Sequence, residues 1–115
     1  MLRFLIAAGL IYGLAACAAP EPPTEPNSAS LAEDGRAIAE AQCARCHAVG
    51  EYGDSAAPTA PPFRTVLTRY RAEVLREELI QGIQVSHPMP EFQLNPQGVD
   101  ALIAYLQSIQ QPPTQ

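Results

Sequence analysis

An all-α domain of three to four helices is the fold class this sequence predicts, on three observations. Apolar residues recur at helical spacing in three separate stretches. No segment alternates apolar and polar residues long enough to argue a strand. The connections between the stretches are rich in Gly, Pro and Ala, and no internal repeat is visible. At 115 residues the chain has room for one small domain.

The first helix is expected from about Leu31 to Cys43, because Ser30 and Glu33 stand three apart ahead of the apolar positions, as in a capping box. Ile38 and Gln42 follow at i, i+4, with Gly35 and Ala39 on the neighbouring stripe, so one face is unusually small and must be packed very closely. A short turn is expected at Thr65 to Thr68. A further helix from about Arg71 to Gln81 carries Val74, Leu75 and Leu79, with Gly82 as its stop. In the last, Asn95 offers an N-cap and Pro96 the first helical position; Val99, Leu102, Ile103, Leu106 and Ile109 then recur to about Gln110, before Pro112 and Pro113. The loops Val49 to Pro62 and Gln84 to Gln93 are long for so small a domain and call for something to wrap around. Aromatic residues are only 6% and Trp is absent, so a core of side chains alone is thin. The formal net charge is −5 and every basic residue is Arg, which excludes a sequence-independent grip on nucleic acid phosphates.

Residues 1–16 read as a signal peptide: Arg3 precedes a 13-residue apolar run from Phe4 to Ala16, too short for a confident membrane span. The run ends Leu14-Ala15-Ala16-Cys17, which resembles the lipobox of bacterial lipoproteins and implies lipidation of Cys17; ordinary cleavage with Cys17 incidental is the alternative. Residues 17–30 hold four prolines and no large apolar residue, the composition of an extended tether. Its 13 residues after Cys17 reach roughly 40 Å at about 3.1 Å each. The remaining divisions are a domain at 31–111 and a tail at 112–115. Loss of residues 1–16 leaves six Arg against twelve acidic residues, a charge of −6.

Cys43-Ala44-Arg45-Cys46-His47 is the pentapeptide that carries chemistry. It is the attachment signature of a c-type haem: two thiols three apart reach two vinyl groups on one porphyrin edge, and the adjacent His47 lies under the iron. A dithiol redox pair would need a βαβ context that the pattern lacks, and a zinc site would need ligands beyond His87 and Cys17.

From these residues the chain resembles the class I mono-haem c-type cytochromes, in the small bacterial lipoprotein form, over residues 31 to 110. Gly35 stands eight residues before Cys43 as in the family, where it lets the first helix touch the last, here at Leu102 to Leu106. Ala39 replaces an aromatic residue of the family, a departure that implies a looser or differently filled contact with Tyr105.

The resemblance implies a class I cytochrome c fold wrapped around one covalently bound haem c. Cys43 and Cys46 hold the porphyrin, His47 and Met89 ligate the iron, and a Pro61 carbonyl orients His47. Pro61 is preferred over Pro62, with a stiff turn as the bland alternative. Met89-Pro90 matches the family's distal ligand, while His87, separated from it only by Pro88, stays as the rival. The implied function is electron transfer, not enzymatic catalysis, by a periplasmic, membrane-anchored lipoprotein whose redox partners carry a basic docking patch. A haem-based sensor and a subunit of a larger membrane oxidoreductase are the alternatives.

Overall fold

The computed structural model describes residues 27–83, 89–90, 92 and 94–112. The leader, Cys17 and most of the tether lie outside the described residues, as do His87 and the tail from residue 113. Three α-helices and one 3-10 helix follow in order: α1 (Ser28–Gln42), the 3-10 helix (Phe63–Thr68), α2 (Ala72–Gln81) and α3 (Pro96–Ser108). Among the described residues there is no strand, and no helix is long and apolar enough to cross a membrane. The all-helical architecture matches the expectation.

Helix α1 begins three residues before the expected start, so Ser28 to Ser30, assigned by sequence to the tether, form its first turn. The reason is Asn27, whose side-chain oxygen accepts from the N–H groups of Ala29 (3.0 Å) and Ser30 (2.9 Å). Two orphan donors are thereby satisfied at once. Ser30 is not the cap; its hydroxyl donates to the Asn27 carbonyl at 3.0 Å. Asn27→Ala should therefore cost about 1 kcal/mol of stability, checked by denaturant unfolding of the haem-loaded protein.

Helices α1 and α3 cross in direct backbone contact. An ideal Cβ on Gly35 would stand 1.9 Å from the Ala101 carbonyl oxygen, so only glycine fits there. Ala39, on the same face, is 0% exposed. The missing aromatic residue does not loosen the crossing, because small side chains let the two helices close until their backbones meet. The apolar face of α3 supplies Val99, Leu102, Ile103 and Leu106 to the core, joined by Leu75 and Leu79 from α2 and Phe63 and Val66 from the 3-10 helix.

Helix α2 runs from Ala72 to Gln81 and is closed by Gly82, whose φ of +102° lies in the region that favours glycine. Its outer side is tied to α3 by Arg76, which donates to Asp100 and holds that carboxyl below its usual range. At the entry of α3 the Asn95 side chain accepts from the Gly98 N–H at 2.7 Å, with Pro96 as the first helical residue, as expected. The exit differs. Helix α3 ends at Ser108 rather than Gln110, where the Leu106 carbonyl accepts from Ile109 N–H (3.4 Å) and from the Gln110 side-chain amide (2.8 Å). A side-chain donor thus takes the carbonyl that the next helical turn would use.

Candidate functional site

The site grows out of the C-terminal end of α1. Cys43 caps the helix, its N–H donating to Ala39 O at 2.9 Å. Its own carbonyl then collects the N–H groups of Cys46 (3.1 Å) and His47 (3.0 Å). The chain turns tightly there, and both thiols and the imidazole stay within one turn of the helix end. Neither thiol is in a disulfide. Burial pushes the Cys43 thiol up to about 11, so without haem it is neutral at pH 7.

His47 is 9% exposed, and its Nδ1–H donates to the Pro61 carbonyl at 2.8 Å. A carbonyl can only accept, so Nδ1 carries the proton of this bond. The neighbouring proline does other work. Pro62 O accepts from the N–H (3.1 Å) and hydroxyl (3.2 Å) of Thr65, opening the 3-10 helix. Pro61 O is thereby the carbonyl left to face the imidazole. Phe63, to which the sequence assigned no separate role, packs its ring against that of His47, with centroids 5.0 Å apart and planes inclined at 48°.

The backbone on either side of His47 is fastened by the loop that follows. Ala57 N–H donates to Cys46 O at 3.0 Å, Ala48 N–H to Ser55 Oγ at 3.0 Å, and Phe63 N–H to Ala48 O at 2.9 Å. Tyr105 of α3 reaches across to donate to Val49 O at 2.8 Å. Because burial disfavours its ionised form, its hydroxyl titrates above the usual tyrosine range and keeps the proton this bond requires.

Cys43, His47 and Met89 line one cavity. The other walls are almost wholly apolar: Phe63 and Val66, Leu75 and Leu79, Leu102 and Leu106, with Phe92 and Leu94 from the chain before α3. Cys46 is half-buried and is not one of the lining residues. The donor set and the walls fit a haem. The Cys43 thiol, an imidazole oriented by Pro61 and a thioether are on the lining, Cys46 stands at the signature spacing from Cys43, and the rest is a surface for a flat apolar body. Among the described residues no group of three or more His, Cys, Asp and Glu is placed to hold a metal ion by itself. His87 and Cys17 lie outside the described residues.

The sequence signals for these features were uneven. Cys43, Cys46 and His47 announce themselves by spacing, and Pro61 by the Pro-Pro-Phe run. Phe63 could have been found from its place two residues after Pro61. The Ser55 and Gln110 hydrogen bonds carry no signal in the sequence at all.

A search of curated proteins and a search of solved structures returned no match. The family model described as "Cytochrome C oxidase, cbb3-type, subunit III" matches residues 30–106, about two thirds of the chain. That stretch runs from the first turn of α1 to Leu106 in α3 and takes in the cysteine pair, His47 and the cavity walls. The chain therefore belongs to this family, as a mono-haem c-type cytochrome that carries one covalently bound haem c and serves electron transfer.

Proposed function

We propose that this protein is an exported single-electron carrier in which His47 and Met89 are the axial ligands of the haem iron. The observation that carries the reading is the His47 imidazole held by Pro61 through Nδ1, on a cavity whose lining also includes the thioether of Met89. Bound there, the haem supplies a one-electron iron couple. The chain's own residues do the rest. Cys43 and Cys46 form the thioether links, Pro61 and Phe63 fix the plane of His47, and the leucines of α2 and α3 exclude water. With both axial positions taken by protein, the chain offers no open coordination site to a substrate, which is why the reading is a carrier and not an enzyme.

Export is supported by the apolar run before Ala16 and by the need for haem attachment on the far side of the bacterial inner membrane. Lipidation of Cys17 and the tether would then hold the domain at the periplasmic face of a membrane. The charge of −6 after removal of the leader favours redox partners with a basic docking patch. The family's description favours a second reading, in which the same electron transfer takes place within a larger membrane oxidase.

The test is the optical spectrum of the oxidised protein made in a host that attaches haem. A weak far-red sulfur-to-iron band is expected in the wild type, lost in Met89→His, and retained in His87→Ala. If the band is missing and His87→Ala converts the iron to high spin, His87 is the ligand and the assignment to Met89 is wrong.

A further inference from the structure

We infer that Gln110 is a positioning residue for the haem: through the 3-10 helix it fixes the two contacts that orient His47, and thereby helps set the reduction potential. The inference rests on the reading of His47 as axial ligand.

The Gln110 side chain makes three hydrogen bonds. Its Nε2 donates to Leu106 O and to Phe63 O, each at 2.8 Å, and its Oε1 accepts from Leu67 N–H at 3.0 Å. A carboxamide has two donor hydrogens, and here both are spent. One of them anchors the amide to α3, at Leu106, which is among the most deeply buried residues of the molecule. The other two bonds grip the 3-10 helix near its beginning and near its end. That helix needs an external brace. Its i to i+3 bonds are poorly aligned, and at six residues it is longer than such helices usually run unaided.

What the brace holds is the wall beside His47. The gripped residue Phe63 packs its ring on the imidazole, and its N–H donates to the carbonyl of Ala48, the residue after His47. Pro61, whose carbonyl takes the Nδ1 proton, lies two residues before Phe63 on the same rigid Pro-Pro segment. Gln110 therefore connects the core of α3 to the acceptor of His47 through a short chain of fixed groups. A tight Nδ1–H bond raises the basicity of the imidazole and so favours the oxidised iron. Releasing the brace should weaken that bond and shift the potential upward.

The experiment compares haem-loaded wild type with Gln110→Met, which keeps the length of the side chain but removes every donor and the acceptor. Two quantities are read: the midpoint potential, and the solvent exchange of the His47 Nδ1 proton followed by nuclear magnetic resonance in the reduced state. An upward shift is expected, with exchange accelerated about five- to tenfold, the worth of one hydrogen bond. Asn27→Ala, which loosens the far end of α1 at similar cost in stability, should move neither. If Gln110→Met does not accumulate with haem, Gln110→Glu retains the acceptor for Leu67 but loses both donors, and should shift both quantities in the same direction. A Gln110 variant that loses stability while potential and exchange stay at wild-type values makes the amide a structural tie only and overturns the inference. A wild-type spectrum without histidine-ligated low-spin iron overturns the axial reading along with it. A normal wild-type spectrum with unmoved Gln110 variants overturns this inference alone.

Discussion

Gly35→Ala should destabilise the haem-loaded protein by about 3 to 5 kcal/mol, against a typical small-domain stability of about 5 to 15 kcal/mol. Helix propensity by itself argues the opposite sign, since alanine is favoured over glycine in a helix interior by about 1 kcal/mol. Sterics decide. The added Cβ would stand 1.9 Å from the Ala101 carbonyl oxygen, 2.5 Å from its carbon and 2.8 Å from Tyr105 Cβ. Two of the three are backbone atoms of a buried helix, which cannot rotate aside, so α1 and α3 would have to separate. Separation uncovers Ala39 and pulls on Tyr105, whose hydroxyl fastens the loop after His47. Gly50 is the control. A Cβ there meets nothing within 4 Å and its φ is not positive, so Gly50→Ala should stay within about 0.5 kcal/mol of wild type. Denaturant midpoints of the two variants check the pair. A Gly35→Ala protein as stable as wild type would show that the two helices do not meet as closely as described.

Removing the haem should unfold most of the domain. In Cys43→Ala/Cys46→Ala, made in a host competent for attachment, no covalent haem can form and little holoprotein should accumulate. The walls of the cavity are the main apolar surfaces of α2, α3 and the 3-10 helix, and without haem they lack the apolar body that they close around. A domain of about 80 residues with few aromatic side chains is marginal from side-chain burial alone, so losing that body removes most of its stability. Far-ultraviolet circular dichroism of the apoprotein should show most of the helical signal lost and no cooperative melt. A native-like spectrum with a sharp transition would mean that the side chains close the core by themselves. For wild type, acid-acetone extraction should leave the colour with the polypeptide.

Much of this architecture is local and so was legible in the residues. Asn95-Pro96 opens α3 because a side-chain acceptor and a fixed φ act within one turn. Gly82 ends α2 because a left-handed φ is cheap only for glycine. The Cys43, Cys46, His47 spacing follows the same rule, since three groups within five residues must leave the chain together. The start of α1 lies in the same local range yet differs from the Ser30 capping box that the sequence suggests: Asn27, three residues earlier, reaches two N–H groups where Ser30 offers only its hydroxyl to a carbonyl.

Tertiary structure decided whatever depends on partners far along the chain. Between Pro61 and Pro62 the choice was made by which carbonyl the 3-10 helix consumes in turning, a matter settled by Thr65. The tilt of Phe63 over His47, the reach of Tyr105 to Val49 and the two bonds from Gln110 to the 3-10 helix join residues 16 to 56 positions apart. No periodicity or propensity encodes such pairs. They form only when α1 and α3 have crossed at Gly35 and brought the loops between them into hydrogen-bonding distance. The sequence alone determined that a haem-binding turn would follow the first helix. The crossing of the helices determined which carbonyl, which ring and which amide would hold its histidine, because hydrogen bonds and ring contacts act over a few ångströms of space whatever the separation along the chain.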